Sequence, residues 1–170
     1  MHQSIIRACL LGAVAIAGTA HAEVKQKTFD IKLSAEVPVV GGFEITEEGW
    51  NHAEQQKLAW SDDDKKFNPL TLKVTAKSGV GKVQVKFSNA DVPRLVHEQD
   101  VDAYFEVGAK VGDKDVGTEP VEVVTKDEAK NGKSIDLVIT PGVASDKIKK
   151  DVLAGNYVGT VPLTFETEVE

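Results

Sequence analysis

The sequence predicts an all-β protein, an antiparallel sandwich of short strands, and three observations predict it. Apolar and polar residues alternate with a period of two in one run after another. Turn-forming dipeptides separate the runs, and helical patterning is scarce. Many short half-buried strands with frequent turns favour a sandwich over a helical or mixed fold.

The first residues read as an export signal. Arg7 supplies a positive charge, residues 8–20 form an apolar run, and Ala20-His21-Ala22 has the form of a signal-peptidase site. The run is too short for a membrane anchor, which needs about 20 apolar residues. Cys9 lies at the head of the apolar stretch, close to Arg7, so it is read as no lipid-attachment site. Cleavage after Ala22 leaves 148 of the 170 residues, enough for one domain with its own core. It also removes the single cysteine and one base but no acid, so the formal charge of −7 becomes −8. Without a disulfide, the exported domain depends on its core or on partners. Its acidity argues against nucleic acid and anionic membranes as partners.

Thr28-Phe29-Asp30-Ile31-Lys32-Leu33-Ser34-Ala35 alternates strictly, with Phe29, Ile31, Leu33 and Ala35 on one face. Leu70, Leu72 and Val74 alternate with Thr71, Lys73 and Thr75. Lys82-Val83-Gln84-Val85-Lys86-Phe87 and Ser134-Ile135-Asp136-Leu137-Val138-Ile139 repeat the pattern, and residues 101–107 and 120–124 are further strands. The last strand is the longest, with Tyr157, Gly159, Val161, Leu163 and Phe165 on one face. Gly41-Gly42, Ser78-Gly79, Asn131-Gly132, Pro141-Gly142 and Gly155-Asn156 mark turns. Residues 47–57 have some helical composition but no apolar stripe. Residues 146–153 suit a short helical turn, with Ile148 and Val152 four apart.

No catalytic constellation is present, and the chain is read as neither an enzyme nor a cofactor or metal protein. A cysteine nucleophile, a G-x-S-x-G elbow and a phosphate-binding glycine loop are all missing after residue 22. His52 and His97 stand alone without metal-ligand spacing and are expected at the surface. Asp62-Asp63-Asp64 lacks the spacing of a calcium loop and, followed by Lys65-Lys66, reads as a solvated hairpin turn. Trp60, near Leu58, is expected to fill core. Trp50, between Gly49 and Asn51, is a candidate for meeting a partner.

The terminal strands carry a resemblance. Val24-Lys25-Gln26-Lys27-Thr28-Phe29-Asp30-Ile31-Lys32-Leu33-Ser34-Ala35-Glu36-Val37-Pro38 resembles the start of the class 5, or alpha-type, chaperone–usher pilins of colonization factor antigen fimbriae. Lys57-Leu58-Ala59-Trp60-Ser61 with Phe67, the run from Lys82 to Phe87, and Ala154-Gly155-Asn156-Tyr157-Val158-Gly159-Thr160-Val161-Pro162-Leu163-Thr164-Phe165 are similar to the same family. A Gly-x-Tyr-x-Gly-x-Val ending also occurs in other secreted sandwiches. The middle loops and the acidic tail, residues 166–170, depart from the family pattern.

The resemblance implies an incomplete immunoglobulin-like antiparallel β-sandwich completed by donor-strand exchange. It divides the chain into a signal at 1–22, a donor extension at 23–38 and a pilin domain at 39–170. Phe29, Ile31, Leu33, Ala35 and Val37 would be the donor side chains. Tyr157, Val161, Leu163 and Phe165 would line the acceptor groove. The implied partners are other copies of the chain, a periplasmic chaperone, an outer-membrane usher and a tip adhesin, with a host-cell receptor as a further candidate. The implied destination is a cell-surface fimbria reached through the periplasm. Alternation alone favours residues 29–35 as the first strand of a self-contained sandwich, a secreted binding module or minor adhesin, and it is the resemblance that turns the reading to donation.

Overall fold

Within the described residues most of the strands expected from alternation form, and the one expected over residues 28–35 lies outside them. The computed structural model describes residues 42–169, all within the unit Pro38–Glu170. The expected signal and the donor residues Phe29, Ile31, Leu33, Ala35 and Val37 lie outside the described residues.

In chain order the strands are β1 (Phe43–Glu48), β2 (Trp60–Ser61), β3 (Lys66–Phe67), β4 (Leu70–Ser78), β5 (Val83–Phe87) and β6 (Arg94–His97). They continue with β7 (Asp100–Val111), β8 (Lys114–Asp115), β9 (Val121–Val124), β10 (Lys133–Ala144), β11 (Tyr157–Val158) and β12 (Leu163–Thr167). Two short helices interrupt them, α1 (Lys126–Ala129) and α2 (Asp146–Lys150).

All pairings are antiparallel. The larger sheet runs β1-β4-β10-β7-β6-β11, with β8 on β7. The smaller sheet runs β12-β5-β9, and β2 with β3 makes a separate hairpin. Ala103, Phe105, Val107, Ala109 and Val111 point from β7 into the interior, and every one is buried. Val107, Ala109 and Val111 meet Leu137 and Ile139 of β10 and Val85 of the smaller sheet in the main core. Ala103 and Phe105, further along the same face, join Ile148 of α2 and are flanked by Trp60, Phe67 and Tyr157.

The β2–β3 hairpin turns through the three aspartates, as expected, and Trp60 packs edge-on to Phe67 at 5.1 Å. α2 forms where a helical turn was expected. Ser145 caps it and Ile148 is buried, while Val152 lies beyond the helix and still joins the same aromatic cluster. α1 was not foreseen. Thr125 and Glu128 close a capping box around its first turn, with each side chain accepting from the other residue's backbone N–H.

Three expectations are corrected. Pro141-Gly142 makes no turn: β10 runs through it to Ala144, and the register slips between Pro141 and Ala144. A bulge tolerates the missing proline N–H. The single long strand expected over residues 157–165 is two strands. β11 belongs to the larger sheet and β12 to the smaller, because the chain changes sheets at 159–162. His97 is not at the surface. It is 4% exposed, with its ring edge-on to Tyr157 at 5.0 Å. The Gln99 N–H donates to Nδ1 at 3.2 Å and Nε2 lies 3.3 Å from the Ala154 carbonyl, so both ring nitrogens have partners.

Candidate functional site

Among the described residues β12 is an edge strand of the smaller sheet. In an antiparallel strand alternate residues bond to alternate sides, so one neighbour uses only half of the backbone groups. Among the described residues β12 has one neighbour, β5. Leu163, Phe165 and Thr167 share the inner face with Phe87, Val85 and Val83, and Thr164 and Glu166 face outward. β12 is well fixed to β5. Lys86 Nζ sits 2.9 Å from Glu166, Lys82 Nζ sits 2.9 Å from Glu168, and Ser88 and Thr164 share a hydroxyl hydrogen bond of 2.7 Å.

Beside β12 an open groove of about 1140 Å³ lies on the inner face of the larger sheet. Its floor is Leu70 and Leu72 of β4 with Leu137 and Ile139 of β10. Val161, Leu163 and Phe165 form one wall, and Ile45 of β1 with Trp50 the other. Leu70, Leu72, Leu95, Val161, Leu163 and Phe165 pack on the main core but are only half-buried. A row of half-buried large apolar side chains along a strand edge is a template for another strand.

Of the groove residues expected from sequence, Val161, Leu163 and Phe165 come together in this wall. Tyr157 borders the far end of the groove but packs mainly elsewhere, against Phe67 at 5.7 Å, Phe105 at 5.5 Å and His97. Its hydroxyl donates to the Leu153 carbonyl at 2.7 Å, and burial pushes its ionisation above the usual tyrosine value. Trp50 is no free surface indole. It is half-buried, and its Nε1 donates to the Lys73 carbonyl at 2.7 Å.

The groove rim is polar. The Glu47 carboxyl is held below its usual range first by a backbone N–H and then by the His52 ring. Among the described residues no group of three or more histidine, cysteine, aspartate or glutamate side chains is placed to hold a metal. The groove offers apolar side chains on its floor and walls beside the edge of β12, an arrangement that suits an extended peptide. Sequence reasoning missed Ile45, Leu70, Leu72 and Leu95 as lining. The alternation of Leu70 and Leu72 was visible, but nothing local in sequence says which inner face the other described residues leave half-buried.

A family model described as CS1 type fimbrial major subunit matches residues 27–166. Among curated proteins none matches. Among solved structures, the CooA pilin subunit from enterotoxigenic Escherichia coli is similar, with a TM-score of 0.52 and 18% sequence identity. The likeness covers 64% of this chain and 75% of that one, and at this identity it is a likeness of fold. With most of the sequence matched by one family and the sandwich shared with a pilin, the chain belongs to the CS1 type fimbrial major subunit family.

Proposed function

We propose that copies of this chain, a structural subunit of a cell-surface pilus, join head to tail by donor-strand exchange. Residues 23–38 of one copy fill the groove of another, with Phe29, Ile31, Leu33, Ala35 and Val37 as the side chains that enter it. The observation that carries the reading is the edge of β12 beside half-buried Leu163 and Phe165, where among the described residues no strand lies.

Strand addition supplies main-chain hydrogen bonds and side-chain pockets together. Burying Phe29, Ile31 and Leu33 at about 1.5–3 kcal/mol each contributes roughly 5–9 kcal/mol before ordering costs. Ordering the arm offsets part of this. The contact is heterologous and does not close on itself, so it propagates a filament. In this reading residues 1–22 direct export to the periplasm. A chaperone there shields the groove, an outer-membrane usher delivers the subunit, and a tip adhesin heads the fibre.

The test is the chain lacking residues 23–38. It should be unstable alone and regain stability when a peptide of that segment is added. Differently tagged intact copies, mixed with the chaperone present, should form joint multimers. Monomers alone in that mixture would favour a self-contained sandwich.

A further inference from the structure

The two ends of the sandwich differ in what they expose. At one end the start of β1, the turn between β4 and β5, and the end of β12 converge. Phe43 pairs with Ser78, and the Ser78 hydroxyl lies 2.8 Å from that of Thr167. At the other end lie the β6–β7 turn, α2 and the last residues of β10. Lys147 of α2 contacts Asp100, and Ala144 pairs with Phe105. These ends are opposite, because β4 runs from Leu70 to Ser78 and β10 continues past the Leu70 end to reach Ala144.

Six large apolar residues are well exposed among the described residues, and four of them sit at these ends. Phe43 (39%) and Val169 (78%) are at the first, and Val101 (78%) and Val143 (61%) at the second. Single exposed apolar side chains are ordinary, but pairs collected at two opposite ends need a reason.

Chain length supplies one. Only residues 38–42 separate Val37, the last donor side chain, from Phe43. Fully extended, Val37 to Phe43 spans about 20 Å. A body whose arm fills a groove must therefore sit against the end where that arm leaves. Residues 157–167 run along the groove from the second end towards the first. An arm laid in the opposite direction leaves at the second end. It also brings Lys25 and Lys27 towards Glu166 and Glu168. An arm laid in the same direction leaves at the first end, which already emits the copy's own arm. Each copy would then carry both neighbours on one end within that short reach.

Resting on the head-to-tail reading above, we infer that the end bearing Phe43 and Val169 packs on the end bearing Val101 and Val143 of the copy that holds its arm. This second contact is with another copy of the chain, heterologous and repeated along the fibre. It covers the apolar residues that the lone subunit exposes, and it sets the angle between successive subunits.

Thiol cross-linking tests it, because the chain without residues 1–22 has no cysteine. Fibres of the double variant Phe43→Cys/Val101→Cys are treated with a short bis-maleimide and then denatured. The expected result is a ladder of covalent multimers, at least tenfold stronger than from Phe43→Cys/Asp136→Cys, which places the second thiol in mid-sheet, opposite Lys73 of β4. Phe43→Cys/Val143→Cys is the second pair, should the first assemble poorly. Normal fibres whose ladders from both end pairs are no stronger than the mid-sheet control would overturn the inference and leave strand donation standing. Fibres that persist when Leu33→Asp is added to the same variants would instead overturn strand donation.

Discussion

The inner face of the larger sheet is finished in two ways. Around Phe105 the chain supplies its own cover. The β2–β3 hairpin and α2 bring Trp60, Phe67 and Ile148 over it, and Phe105 is 3% exposed with aromatic partners at 5.4–6.3 Å. Beside β12 the same face carries residues of the same kind, Leu70 and Leu72, with Leu163 and Phe165 of the smaller sheet beside them, and none is fully buried. Both regions have alternating strands and large apolar side chains. They differ only in whether a covering element lies nearby in the described chain. On the proposed reading, a subunit built this way would keep its own fold through the closed region and assemble through the open one.

The largest expected effect falls on the open region. Leu33→Asp should abolish fibre formation, seen by electron microscopy, while the chaperone-bound subunit stays folded. A carboxylate forced into an apolar groove loses its hydration and gains no partner. Next comes the closed region. Phe105→Ala should cost the isolated subunit about 3–5 kcal/mol in a urea melt. Phe165→Ala, already half-exposed, should cost it only about 1–2 kcal/mol, and should cost more once fibres form. Equal losses in the isolated subunit would break the contrast between the regions.

A smaller effect is expected where the chain passes from one sheet to the other. A Cβ on Gly159 would collide with the backbone carbonyl of Arg94, which has little room to give. Gly159→Ala should therefore cost roughly 1–3 kcal/mol by overpacking, read from the same melts.

The smallest effect is electrostatic. Asp100 is held below its usual range by Lys147, and Glu48 by the Thr75 hydroxyl. Glu128 is held there by the Thr125 hydroxyl. A carboxylate lowered in the folded state stabilises it above the ordinary value and loses that contribution as pH falls through the lowered one. The melting temperature should thus hold above about pH 5 and drop below about pH 4. Tyr157 has the opposite sense. Its raised ionisation should make stability decline as pH rises past about 10. Asp100→Asn should soften the acid drop only slightly, because the pair is exposed.

Much of the architecture was legible because the buried strands alternate plainly. β4, β5 and β10 follow the pattern of Leu70, Val83 and Ile135 and their neighbours two apart. β1 was missed because an edge strand with a solvated outer face carries Glu44, Thr46 and Glu48. Even its inner-parity Glu47 reaches the groove rim. β6 is only four residues long, and its inward His97 looks like a surface residue until Tyr157 and the Ala154 carbonyl enclose it. Half of the groove was legible in Val161, Leu163 and Phe165. The other half, from Ile45, Leu70, Leu72 and Leu95, comes from strands far apart in sequence, which local periodicity does not relate. The sheet change at 159–162 was hidden for a related reason. The alternation continues through it, since Tyr157 before the change and Val161, Leu163 and Phe165 after it all border the same groove.

Amide hydrogen exchange of β12 is the most direct measurement. In the isolated subunit the backbone N–H groups of residues 163–167 not taken by β5 should exchange fast. In assembled fibres the same groups should slow by at least a hundredfold, while those around Phe105 change little. Slow exchange along both edges of β12 already in the isolated subunit would mean that its own chain completes the sheet, contradicting the account.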